Sequence, residues 1–152
     1  MTISAYISDK EATFSLTAMR LGIDNTPNES QLMYMRALAE NVFEPLRGHF
    51  NQPIHISSFF RCSQLNSAVG GATSSQHVAL NGAAMDIDNE SPSNKEIFGF
   101  IRNVMEFDQL ICEFPDAEGN PSWVHVSWND DMNRNEVLIS EKVDGRTFYK
   151  TA

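Results

Sequence analysis

Four histidines are present, and two of them stand where they could act with a carboxylate. His77 lies in a Ser/Gln/Gly loop just ahead of a segment bearing Asp86. His125 sits between Val124 and Val126. On a strand its ring would point away from the valine face. A His, a carboxylate and a second His leave one tetrahedral position for water, which is how catalytic zinc is held. The residue types alone leave this open, because a strand histidine is more often a hydrogen-bonded structural residue. His49, near a helix end where an imidazolium meets the dipole, and His55, on the polar side of a strand, read as structural.

The elements that must position these groups follow from periodicity. Ser8 and Glu11 have the spacing of a capping box, although little apolar period follows them. Asn28 and Gln31 cap a helix whose Leu32, Met35, Leu38, Ala39, Val42 and Leu46 share one face. Pro45 is expected to kink or end it. Ile54 and Ile56 then alternate with His55 and Ser57 as a strand leading to Arg61. A short helix over 62–69 stops at Gly70-Gly71, and a polar loop runs on to His77. Residues 83–88 read as a strand. Ser93 and Glu96 cap a helix with an apolar stripe of Ile97, Phe98, Ile101, Val104 and Met105. Strands are expected over 109–114, 122–128 and 136–140, followed by a polar tail. Helices preceding strands joined by hairpin-like loops predict an α+β fold, a mostly antiparallel sheet with helices packed on one side.

The strings around these residues resemble a known family. Ser-Ser-Phe-Phe-Arg-Cys-Ser-Gln-Leu-Asn-Ser-Ala-Val-Gly-Gly (57–71), Ser-Gln-His (75–77), Gly-Ala-Ala-Met-Asp-Ile (82–87) and Trp-Val-His-Val-Ser (123–127) are similar to the zinc D-alanyl-D-alanine carboxypeptidases of the hedgehog/DD-peptidase fold. Residues 20–27 and 39–46 look like the small bacterial and phage-borne branch. The resemblance spans about residues 12–140. It implies Zn2+ held by His77, Asp86 and His125, with Asp88 as the fallback carboxylate. Two additional residues separate His77 from Gly82 relative to the family pattern. Many relatives carry a glutamate where Ser122 stands here, and in the resembling branch the matching acid is Glu113. The resemblance makes Glu113 the general base for metal-activated water. Arg61 would hold or polarise the substrate, as its planar fork suits a carboxylate or oxyanion, and Ser75 would contact it. The implied activity is hydrolysis of D-Ala-D-Ala-type peptides. The alternatives are a peptidoglycan cross-link endopeptidase used in lysis, or a non-catalytic virion or cell-wall binding protein keeping the fold.

The bulk properties exclude other classes. A chain of 152 residues with 41% hydrophobic content suits a single domain over 1–152, which the resemblance makes a zinc peptidase domain. A net charge of -9 and pI near 4.8 argue against nucleic acid and anionic membranes as partners. The resemblance implies peptidoglycan stem peptides or D-Ala-D-Ala peptides as partners, and a monomer is expected. Residues 1–10 have neither a basic n-region nor an apolar h-region. Synthesis in the cytoplasm is thus expected, with delivery to the wall by phage lysis proteins or a virion, or action on a cytosolic precursor. Cys62 and Cys112 read as reduced small hydrophobes.

Overall fold

A computed structural model describes residues 2–152; Met1 lies outside the described residues. Two short helices come first, α1 (Asp9–Thr13) and α2 (Leu16–Leu21). Serine side chains start both, Ser8 accepting from Glu11 N at 3.1 Å and Ser15 from Ala18 N at 3.2 Å. Helix α2 has no counterpart among the expected elements. Leu16, Met19 and Leu21 are exposed, so no buried stripe marks it.

Helix α3 (Glu29–Leu38) starts at the expected capping box, with Asn28 and Gln31 bonding reciprocally at 2.9 Å. A π-helical turn (Ala39–Phe43) joins it to α4 (Glu44–Phe50). Pro45 does not end the helix. It lies in the first turn of α4, directly after the wide π turn, where a missing N–H costs little. The helix ends instead at Asn51, which has a positive φ of 49°.

The remaining elements are β1 (Ile56–Ser58), α5 (Ser63–Ala68), a 3-10 turn (Gln76–Val78), β2 (Ala83–Ile87), α6 (Asn94–Val104), β3 (Gln109–Glu113), β4 (Trp123–Trp128), β5 (Glu136–Val143) and β6 (Arg146–Thr151). The six strands form one sheet in the order β1-β2-β4-β3-β5-β6. Only the β3–β5 pair is parallel. The expected α+β class and mostly antiparallel sheet are thus present. Its last strand differs from expectation, because the polar tail is the exposed strand β6, paired to β5 from Leu138↔Thr151 to Val143↔Arg146. Its alternation is hidden because both of its faces are exposed.

Strand pleating divides the sheet into two faces. Met85, Ile87, Leu110, Val124 and Val126 point into a core shared with Met35, Leu38, Val42, Ile97 and Ile101 of the helices. Val104, expected in the apolar stripe of α6, is exposed at the helix's last residue. The alternate residues, Asp86, Ile111, Glu113, Trp123 and His125, line the opposite face. Around the edge of that face run α5, the 3-10 turn and the loop joining them. Both cysteines are free thiols, as expected. No helix among the described residues is long and apolar enough to cross a membrane.

Candidate metal centre and its cleft

Register on the sheet brings the acid and one histidine together. Asp86 on β2 pairs directly with His125 on β4, and paired residues present their side chains on the same face. His125 Nδ1 lies 3.1 Å from Asp86 Oδ1. His77 arrives from the 3-10 turn, which begins where Ser75 Oγ accepts from His77 N at 3.3 Å. The longer loop between His77 and Gly82 is taken up by this turn and by Ala79 at φ 56°. Gly82 closes it at φ 88°, where a Cβ would lie 2.4 Å from the Trp128 carbonyl oxygen.

The His77 ring is 2% exposed and oriented at both ends. Its Nδ1 is 2.7 Å from the Phe59 carbonyl, to which an N–H there donates. That tautomer leaves the Nε2 lone pair facing Asp86 Oδ2 at 3.3 Å, without an aligned hydrogen bond. A buried ring nitrogen without a partner is costly unless something else engages it. Burial lowers the His77 pKa, and the Asp86 carboxylate opposes this. Burial alone would raise the Asp86 carboxyl, but His77 and His125 outweigh it and keep the group ionised.

One ligand atom from each of the three residues lies within 4.8 Å of the others. Tetrahedral donors at about 2.0–2.1 Å from a zinc ion stand roughly 3.3 Å apart. The His–Asp gaps, 3.3 Å from His77 Nε2 to Asp86 Oδ2 and 3.1 Å from His125 Nδ1 to Asp86 Oδ1, are close to that size, each to its own carboxylate oxygen. The buried His77 ring with its orphaned nitrogen, the ionised Asp86 carboxylate and the His125 ring therefore fit a divalent metal. Asp88, the fallback carboxylate, does not join them. It is exposed and accepts from Asn94 Nδ2 at 3.0 Å.

Arg61, Ser75 and Glu113 line the same cleft of 1220 Å³ as the three donors. Arg61 lies beyond the end of β1, with its backbone N–H bonded to the His77 carbonyl at 3.0 Å. Its Nε is buried without a hydrogen-bond partner among the described residues. Burial lowers the Arg61 pKa, and the charge on Asp86 opposes this. Glu113, at the end of β3, is 6% exposed and takes a hydrogen bond from Ser140 Oγ. Burial raises its pKa; Ser140 and His125 pull the other way. Ser122, where many relatives carry an acid, is turned to the Phe114 carbonyl at 2.8 Å. The other acids near β3 are engaged elsewhere. Asp108 is bound by Arg134 and Gln76, and Asp116 accepts from Glu118 N and Asn120 N.

Sequence reasoning missed Ser140 and Tyr149, both on the hairpin read as strand end and tail. Tyr149 lines the cleft. No short-range pattern marks it; only the cross-strand register with β5 brings it there.

A mostly antiparallel sheet with helices on one face, and a His-Asp-His set with a buried acid in a cleft on the other, defines a metal-dependent hydrolase. The model of the peptidase M15 family matches residues 5–127, most of the chain. The chain belongs to the peptidase M15 family of zinc-dependent peptidases. No individual curated protein matches it.

Proposed function

We propose that the protein is a zinc peptidase that cleaves D-alanine-containing peptidoglycan peptides, in the manner of a D-Ala-D-Ala carboxypeptidase. The observation carrying this reading is the buried, unpartnered His77 Nε2 facing Asp86 and His125 in one cleft with Arg61 and Glu113. His77, Asp86 and His125 would hold the ion. Zinc bound there supplies a Lewis acid and lowers the pKa of water towards neutrality. Glu113 takes the proton of the attacking water and passes it to the leaving amine. Its raised pKa suits a group that must accept and then release a proton near neutral pH. Arg61, a half-buried cation whose enclosed Nε is an unused donor, receives the negative charge of the carbonyl oxygen or of the peptide's terminal carboxylate. Ser75 contacts the peptide at the cleft wall. A binding module without turnover would have no use for Glu113.

A second reading, cleavage of peptidoglycan cross-links, is favoured by one feature. A smaller groove of 390 Å³ beside α2 shares Arg61, Val69 and Asp86 with the main cleft, so a chain could pass across the site. In either case the partner is a stem peptide, met outside the cytoplasm after lysis or virion delivery, or as a cytosolic precursor.

Mass spectrometry of purified peptidoglycan and of D-Ala-D-Ala peptides after digestion tests the proposal. Loss of a terminal D-alanine supports carboxypeptidase action, and opened cross-links support the second reading. Elemental analysis should find about one zinc per chain, lost in His77→Ala and His125→Ala. Wild-type zinc in both variants would refute the ligand assignment.

A further inference from the structure

The match to the family ends at residue 127, yet the sheet continues through β5 and β6. Strand β5 adds to β3 in parallel, pairing Ser140 with Glu113, and β6 pairs Tyr149 with Ser140. Trp123 pairs with Glu113 from the other side. The result is a lateral row, Trp123, Glu113, Ser140 and Tyr149, on the face that carries the metal donors. Ser140 is fully buried and its hydroxyl donates to the Glu113 carboxylate. Tyr149 lines the cleft while remaining about half exposed, as a residue on an open wall would be.

We infer that the β5–β6 hairpin is a working part of the active site, in which Ser140 positions the Glu113 carboxylate and the Tyr149 hydroxyl binds the substrate peptide. This rests on the peptidase reading for Glu113, but Tyr149's part in binding does not require turnover. A carboxylate at the end of a strand has free torsions. One hydroxyl donor occupying an oxygen selects among them and leaves the other oxygen for the proton it must move. Without Ser140, the buried Glu113 carboxylate would have no hydrogen-bond donor among the described residues. The phenol of Tyr149 is protonated at neutral pH, and partial burial with the charges of Glu113 and Asp86 raises its pKa further. It therefore serves as a donor, and the acceptors that a peptide offers are its carbonyl oxygens and terminal carboxylate. Arg61 lies on the far side of the donor set, on the segment after β1, so the peptide would be gripped from both margins of the sheet.

The test compares Ser140→Ala, Ser140→Thr and Tyr149→Phe with the wild type, all loaded with zinc. Ser140→Ala should lower kcat about tenfold with KM little changed, and Ser140→Thr should restore most of it. This pattern separates positioning from a general loss of structure, which the conservative hydroxyl would not rescue. Tyr149→Phe should raise KM for muropeptides about fivefold to tenfold, the scale of one lost hydrogen bond, with kcat near wild type. Tryptophan fluorescence titration with the same muropeptides, read on zinc-free protein through Trp123 and Trp128 together, should show Tyr149→Phe weakened by a similar factor. Wild type that binds muropeptides without cutting them would refute the peptidase reading and Ser140's part. Weaker binding by Tyr149→Phe would then still support the hairpin's role. Unchanged KM and unchanged affinity in Tyr149→Phe, or no rescue by Ser140→Thr, would overturn the inference, as would a wild type that neither binds nor cuts.

Discussion

Glu113 is buried and Arg61 half-buried, with its Nε enclosed, in a chain of net charge -9, and each is placed in a way that makes its loss informative. Glu113 belongs to no donor set, so Glu113→Gln should retain fold and zinc while the rate falls roughly 10²-fold or more. Near-wild-type turnover would move the base elsewhere, although Asp108 and Asp116 are already committed to Arg134 and to a turn. Arg61 is separable by geometry as well as charge. Lysine keeps the charge but loses the fork, so Arg61→Lys should fall between wild type and Arg61→Ala in activity, with zinc unchanged. If Arg61 binds the terminal carboxylate, amidating that end should harm the wild type and barely affect Arg61→Ala. Equal activity of all three proteins on the free peptide would make Arg61 a structural residue.

At the scale of elements, the loop from His77 to Gly82 shows how backbone geometry fixes a side chain. Gly82 combines a positive φ with a carbonyl against its open face. Gly82→Ala should therefore cost about 1–3 kcal/mol in urea unfolding and should lower zinc affinity by displacing the strand that carries Asp86. Unchanged stability would mean that the turn can relax elsewhere. The same contrast governs what the sequence makes legible. The capped helices α3 and α6 are readable because capping boxes and buried stripes are local signals. Strands β2, β3 and β4 are readable because one face is apolar. Helix α2 and strand β6 are not, since neither buries an apolar face. The grouping of His77, Asp86 and His125 is legible through the resembling strings around them; the chance that any one strand histidine is a ligand is low. Ser140 and Tyr149 stay hidden because parallel pairing of β5 with β3 is a long-range event without a local signature.

The whole molecule depends on pH partly through Asp108, which anchors the segment between β4 and β5. Burial would raise its carboxyl, but Arg134, by side chain and backbone, and Gln76 outweigh that and hold it below the usual range. An unfolded aspartate takes up its proton near pH ~3.9, so below that value the unfolded chain binds more protons than the folded one. The stabilisation is complete above that pH and is lost as the pH falls through the lower folded value. Asp108→Asn should melt at a lower temperature than wild type at neutral pH, and the gap should narrow below about pH 4. Parallel melting curves across the acid range would assign acid sensitivity to other carboxylates.

Two hydrogen bonds clasp the segment after β1 to the 3-10 turn: His77 Nδ1–H to the Phe59 carbonyl, and Arg61 N–H to the His77 carbonyl. His77 is thus held by the same backbone that carries Arg61. Any ion that fixes the His77 ring also narrows the motion of this backbone, and the amide of Arg61 can meet solvent only when the clasp opens. Occupancy of the metal centre therefore sets how often the arginine strays from its place. In hydrogen-exchange terms, zinc should slow deuterium uptake at Arg61 well beyond that of the exposed strand β6, and a His77→Ala variant should abolish the difference. The protein would then tighten the Arg61 side of its grip on a peptide as it acquires its metal, so that an unloaded chain holds its peptide more loosely than a loaded one.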